Sequence, residues 1–475
     1  MTAPDREPQE NRLWTARTWP FIVAILALET FIAFEAFAVT TVLPVTMSSL
    51  NGPEWYSLSY AATITTALVG MIVGGNWTDR SGTRVPLVFG GTLFVLGIAL
   101  CALAPNAAVF ILGRLLQGVG GGIDAVVLYV LIAQRIPAGP RAKMFGLLTA
   151  AWLLPSMIGP VLAGLLTELV SWRTVFGFIL AGAAVSLVGL LTVTRGFTSR
   201  SQSTPSAPAL FGRQGVIALV AAGLLLILHL SGQLPLQQSM IAISLALVGL
   251  ALTAGRLLPP GTLRLRGVAQ RLVALRAALG ATVTATDVYL TLYLQSERGF
   301  PPTTAGVVIA IGAAGWAGGA WLQGRFSDAL DSHRRLITTA ALLVASGPAC
   351  VALYILDVTP LWLVVAACVT MGLGMGIAYP RIATATLAIV DESEHGKYSS
   401  ALQAGESMSI AALLAVSAAL LTAVSGVGGF TLVYVLLVAG SALAILIASA
   451  QRRDQSEWGR RRDWAKAGGR GTSPL

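Results

Sequence analysis

The sequence predicts an all-α integral membrane protein with fourteen transmembrane helices. Three observations lead there. The chain has 475 residues, of which 55% are hydrophobic and only 11% charged, whereas a soluble chain carries about 25% charged residues. Apolar segments recur from Trp19 to the neighbourhood of Ala450, most of them near the ~20 residues that cross a hydrocarbon core of ~30 Å. These segments lack the two-residue alternation of a closed barrel, the other architecture that satisfies a backbone in lipid.

The first span, 19–46, follows arginines as a secretion signal would. It is too long for a signal's apolar region and has no small-residue cleavage site, so it reads as a retained helix. Spans 57–77 and 85–104 flank the stretch GNWTDRSGTR (Gly75–Arg84). Span 107–134 holds Arg114 and a run of glycines; 144–167 holds Pro155 and Pro160; 174–195 closes the first group. A Ser/Pro-rich connection, SRSQSTPSAPA (199–209), reads as a flexible link before spans 214–231 and 238–257. Spans 270–294, 303–324, 335–356, 359–384, 398–424 and 428–450 complete the chain.

Two halves of the chain echo each other at an offset near 250. GNWTD (75–79) matches GRFSD (324–328), setting Asp79 against Asp328, and GVGGGI (118–123) matches GLGMGI (372–377). Glu35 falls at nearly the same offset from Asp287. Parallel six-helix repeats around a central site are a known transporter plan. The expected organisation is therefore a cytoplasmic tail (1–18), a six-helix bundle (19–195), a cytoplasmic loop (196–213) and a linker helix pair (214–258). A second six-helix bundle with its leading cytoplasmic loop (259–450) and a basic cytoplasmic tail (451–475) follow.

The formal charge is +10, but its distribution argues against nucleic acid as a partner. With the N-terminus inside, 28 of the 31 Lys and Arg fall in the tails, the even-numbered connections or the adjoining helix ends; only Arg173 and Arg298 lie outside, and Arg114 lies within a span. This is the positive-inside asymmetry, and it puts both termini in the cytoplasm. The basic tail, Arg452–Arg470, then faces anionic lipid or solvent. Cys101, Cys350 and Cys368 stand alone in apolar runs and read as small core residues. Beyond the tails and the 196–213 loop there is no soluble segment to form a catalytic domain. No phosphate-cradling GxxxxGK[ST] loop and no metal-ligand spacing is present. The sequence implies no cofactor, no metal and no covalent catalysis.

GNWTDRSGTR resembles the loop between helices two and three of the major facilitator superfamily, roughly GxLaDrxGrkxxL. Gly75, Asp79, Arg80, Gly82, Arg84 and Leu87 match; Trp77, Thr78 and Thr83 depart from it. A carboxylate at a helix end can pair with arginine and accept amide hydrogens, so the cluster, with Asp328, is expected to latch one conformation. RLLQGVGGG (Arg114–Gly122) looks like the superfamily's fourth-helix pattern RxxQGxGaa. FEAFAVTTVLP (Phe34–Pro44) resembles LDxTIVNxALP of its fourteen-span drug:proton antiporters, with Glu35 at the Asp position. GLLTAAWLLPSMIGPVLAG (Gly146–Gly164) fits the exporter-associated Gx8Gx3GPx2GG at Gly146, Gly159, Pro160 and Gly164, with Pro155 and Ala163 replacing two glycines. WRTVF (Trp172–Phe176) fits the entry to the sixth helix. The resemblance covers nearly the whole chain and implies the major facilitator fold: two six-helix bundles plus two linker helices.

A guanidinium within a span needs a partner or a wet cavity. Arg114 lies about 10 Å from the outer end of its helix at 1.5 Å per residue, and Glu35 roughly 8 Å from the outer edge of the core. The depths match, and the resemblance makes the first and fourth helices neighbours, so a Glu35–Arg114 pair is expected. Glu29, Asp124, Asp287 and Glu406 also fall in spans, where a carboxylate is a functional candidate by default. His229 reads as packed or interfacial. Tyr289 and Tyr293, with Trp152 and Trp316, read as helix-packing aromatics or as the walls of a drug cavity. Arg271 and Arg276 are expected to snorkel.

These residues suggest proton coupling, with Glu35, Glu29 and Asp287 alternating between proton and cargo. The expected activity is proton-coupled export of amphipathic drugs or xenobiotics by alternating access, the partners being the substrate, protons and the lipid bilayer. Dedicated export of an endogenous metabolite, lipid or antibiotic is the second reading, and a non-transporting scaffold or sensor the third. Proton-coupled peptide uptake is disfavoured because its ExxER signature is missing after Glu29. The expected setting is a bacterial cytoplasmic membrane, the expected state a monomer.

Overall fold

The computed structural model describes residues 13–15, 18–195, 209–325, 330–391 and 394–450. Asp328, most of the Ser/Pro-rich link and the basic tail lie outside the described residues.

The described chain is all helix. Its long elements are α1 (Trp19–Ser49), α2 (Tyr56–Ser81), α3 (Arg84–Ala102), α4 (Ala107–Arg135), α5 (Ala138–Leu169), α6 (Trp172–Val193) and α7 (Gly212–Ser231). They continue with α8 (Leu236–Leu257), α9 (Val268–Ser296), α10 (Pro302–Gln323), α11 (Leu330–Ile355), α12 (Leu361–Ile389), α13 (His395–Ala423) and α14 (Val427–Ala450). No strand occurs among the described residues. Thirteen of these helices are long and apolar enough to cross a membrane. The exception is α9, which carries Arg271, Arg276, Asp287 and a series of threonines. Much of it is nonetheless enclosed by protein: Leu272, Leu275, Leu279, Tyr289 and the threonines Thr286 and Thr291 are fully buried, while Arg271, Arg276 and Asp287 are partly buried.

The stretch Gly75–Ser81 forms the last two turns of α2, so the helix runs on through Thr78–Ser81, beyond the expected span 57–77. Only Gly82 and Thr83 join α2 to α3. Gly82 has φ +77° and ψ −176°, a region open essentially to glycine alone. Trp77 packs across the turn on Phe89, with ring centroids 5.2 Å apart.

Two compact units emerge. The first comprises Met1–Leu247 with Asp287–Ala310 and Leu414–Ala423; the second comprises Val248–Thr286, Ile311–Leu413 and Val424–Leu475. In the first, α4 packs on α2 and α3, α1 on α5 and α6, and α7 on α2. The glycine runs explain the α4 packing. A Cβ on Gly118 or Gly122 would collide with the α2 backbone at Thr63 or Ala67, and one on Gly113 or Gly120 with α3. In the second unit the matching run on α12 does the same work: Gly372 and Gly376 lie on the α10 backbone, Gly374 on α11. The repeated motif is thus a face of missing side chains that lets backbones approach closely.

Candidate functional site

Glu35 sits on the buried face of α1 and Arg114 on that of α4, each about 3% exposed. The Arg114 Nη1 donates to Glu35 Oε1. It also donates to Gln117 Oε1 at 3.2 Å, while Nε donates to the Ser59 carbonyl at 3.0 Å. Cys101 of α3 donates its thiol to the same Gln117 oxygen at 3.4 Å. Four helices thereby converge on one ion pair, and the paired charge is what makes a buried guanidinium tolerable. Tyr60, hydrogen-bonded to Thr40, stands within electrostatic reach of Glu35, Arg114 and Asp287. Asp287 itself makes no side-chain hydrogen bond among the described residues and is half-buried.

A second acidic group lies on the same helices. Glu29 is 5% exposed and accepts a hydrogen bond of 2.9 Å from Trp152 Nε1 of α5. Asp124 of α4 is fully buried within electrostatic reach of Glu29. Neither of its carboxyl oxygens has a hydrogen-bond partner among the described residues. It lies against Gly90 of α3, where a side chain would strike the Asp124 Oδ1.

At the α2–α3 turn, Asp79, Arg80 and Arg84 are all exposed. Asp79 makes no hydrogen bond or ion pair among the described residues. On α5, Pro155 and Pro160 both lie within the helix. Gly159 lies under Phe34, and Gly164 lies against the first turn of α10 at Pro302 and Thr303. Glu168 Oε1 accepts the Thr303 amide hydrogen at 2.6 Å, satisfying a donor at that helix start. Gly146 has open space around it.

In the second unit, Arg276 does not snorkel. Its Nε donates to Glu406 Oε2 at 2.9 Å, and its guanidinium lies 4.4 Å over the Tyr379 ring. The Tyr379 hydroxyl donates to Glu406 Oε1, and Tyr379 packs on Trp316 with centroids 5.4 Å apart. Glu406 was a candidate from its position in a span, but Tyr379 was not found, because a tyrosine in an apolar run carries no signal of its own. Arg381 was also missed. It is 2% exposed and its Nη2 donates to the Gln323 carbonyl at 2.5 Å. An arginine inside span 359–384 was the available clue. Tyr289 and Tyr293 are buried packers, and the Tyr289 hydroxyl donates to the Leu414 carbonyl at 2.7 Å. His229 is buried, with Nδ1 2.9 Å from the Leu225 carbonyl.

A sequence profile described as "Major Facilitator Superfamily" matches residues 25–411. The chain belongs to this superfamily. It is a multi-pass membrane transporter by that membership. A "Probable multidrug-efflux transporter" of Mycobacterium tuberculosis is 27% identical over 393 residues, covering 78% of this chain and 80% of that one. The "Multidrug transporter protein MdtP" of Bacillus subtilis is 29% identical over 213 residues, 44% of this chain and 38% of that one. Among solved structures, a POT family transporter superposes with a TM-score of 0.67 at 13% identity, over 90% of this chain and 96% of that one. The human organic anion transporter MFSD10 gives a TM-score of 0.60 at 13% identity, over 93% and 100%. Both place the major facilitator fold and nothing further.

Proposed function

We propose that this major facilitator protein is a proton-coupled secondary active exporter of amphipathic drugs or xenobiotics, working by alternating access. The observation that carries the reading is the buried Glu35–Arg114 pair. A proton arriving on Glu35 neutralises the charge that holds Arg114, and departure of the proton restores it. An ion pair that one proton can make or break, inside a water-poor helix junction, couples proton movement to helix packing. Glu29, Asp124 and Asp287 supply further carboxyls near the same helices and serve as relay or cargo-contacting groups. Asp79, Arg80 and Arg84, with Asp328, act as the conformational latch. The working unit is two six-helix bundles (19–195 and 259–450) joined by the linker pair, active as a monomer in a bacterial cytoplasmic membrane with both termini inside.

Purified protein in liposomes tests this directly. Ethidium flux is expected to follow an imposed pH gradient and to lose that dependence in Glu35→Gln. Ethidium movement indifferent to the gradient would exclude proton antiport.

A further inference from the structure

Arg276 has more hydrogen-bonding capacity than its partners use. Its Nε is taken by Glu406, and both Glu406 oxygens are occupied, one by Arg276 and one by Tyr379. The two terminal amino groups of Arg276 have no hydrogen-bond partner among the described residues. The pair is not sealed, with 17% and 16% of the two side chains exposed. A guanidinium offers five N–H donors on two edges, so one carboxylate can hold the Nε edge while a second acceptor takes the other.

The surroundings fix this edge in place. Tyr379 lies under the guanidinium plane, and Trp316 backs Tyr379. Gly280 of α9 is what lets Glu406 and Tyr379 come so near: a Cβ there would fall 2.7 Å from Glu406 Oε1 and 2.9 Å from the Tyr379 hydroxyl. The result is an oriented donor fork beside two aromatic rings tilted at 56° to each other, drawn from α9, α10, α12 and α13. With one Glu406 oxygen held by Arg276 and the other by Tyr379, the groups that remain to face a ligand are N–H donors, which suit an acceptor rather than a cation.

From this geometry we infer that Arg276, held by Glu406 and Tyr379, is a substrate-binding residue that takes the carboxylate of a planar aromatic acid. The inference rests on the exporter reading and narrows it: among its cargoes the protein prefers those with an acidic group, and the bidentate contact favours an acid over its uncharged analogue. Lys at this position would keep the charge and lose the fork.

Binding to the detergent-purified full-length protein, followed by tryptophan fluorescence, separates the possibilities. The probes are 2-naphthoate and its uncharged amide, 2-naphthamide. Wild type is expected to bind the acid at least about tenfold more tightly than the amide. Arg276→Gln should abolish that preference, Arg276→Lys should keep part of it, and Gly280→Ala, which leaves every charge in place, should weaken acid binding. Equal binding of the two probes by wild type, or a preference surviving in Arg276→Gln, overturns the inference. Because wild type alone decides the first comparison, a poorly folding variant does not protect the idea. Gradient-driven ethidium flux without acid preference would leave the exporter reading standing and this one lost.

Discussion

Arg114 and Glu35 face each other from α4 and α1 with 3% and 4% of their side chains exposed. Removing one member leaves the other charge buried alone, at a cost of about 3–5 kcal/mol. Arg114→Gln is therefore expected to lower the thermal stability of the purified protein clearly. The double variant Glu35→Gln/Arg114→Gln should recover much of that loss, since two carboxamides of similar shape can bond each other. Thermal unfolding of Glu35→Gln, Arg114→Gln and the double variant against wild type reads the coupling. Strictly additive losses would show that the pair does not act as a unit.

The two glycines of the α2–α3 stretch should behave differently. Gly82 holds a backbone conformation that costs other residues about 1–3 kcal/mol, so Gly82→Ala is expected to reduce the yield of folded protein. At Gly75 the nearest atom to an added Cβ is Val126 Cγ1 at 3.9 Å, and Gly75→Ala should be neutral or slightly stabilising. Size-exclusion profiles and melting temperatures of the two variants make the check.

A similar contrast separates Gly118 from Gly146. At Gly118 a methyl group would press into Thr63 and Thr66 of α2, and overpacking of this kind costs about 1–3 kcal/mol. At Gly146 there is nothing within 4 Å. Gly118→Ala is expected to destabilise, while Gly146→Ala should raise helix stability by up to about 1 kcal/mol. If both destabilise equally, the close approach of α4 to α2 is not what the glycine run provides.

Asp124 offers a test of function against stability. Its two carboxyl oxygens lack partners in a fully buried setting, and such groups cost about 1–3 kcal/mol. Asp124→Leu, of similar size, is expected to melt higher than wild type. If Asp124 serves proton coupling, the same variant should lose gradient-driven flux, the trade expected where a site keeps an unfavourable group. A variant that is stabler and fully active would reduce Asp124 to a packing residue.

Much of the architecture was legible because lipid imposes a severe rule: spanning segments must be long, apolar and helical. Thirteen of the fourteen expected spans coincide with helices long and apolar enough to cross a membrane for that reason; α9 is helical but too polar to meet that rule. The Glu35–Arg114 pair was readable from matching depths, since helical rise converts residue counts into ångströms, together with the resemblance that makes the first and fourth helices neighbours. The course of α2 through Thr78–Ser81 was not, because glycines and polar residues suggest a loop when the helix end in fact lies at Gly82. Arg276 was misjudged because snorkelling and pairing start from the same position near a helix end, and only tertiary neighbours on α12 and α13 distinguish them. Asp124's lack of partners could not be read at all. Sequence names a carboxyl; it does not say what surrounds it.

The hold of Glu168 on the first turn of α10 sits in an exposed position. A carboxylate facing a helix start is an attraction that dissolved salt screens within about 10 Å at 0.1 M. The neighbouring fit of Gly164 against Thr303 is steric and indifferent to salt. The join of α5 to α10 therefore has one fastening that responds to the bathing medium and one that does not, and ionic strength alone can tune its tightness.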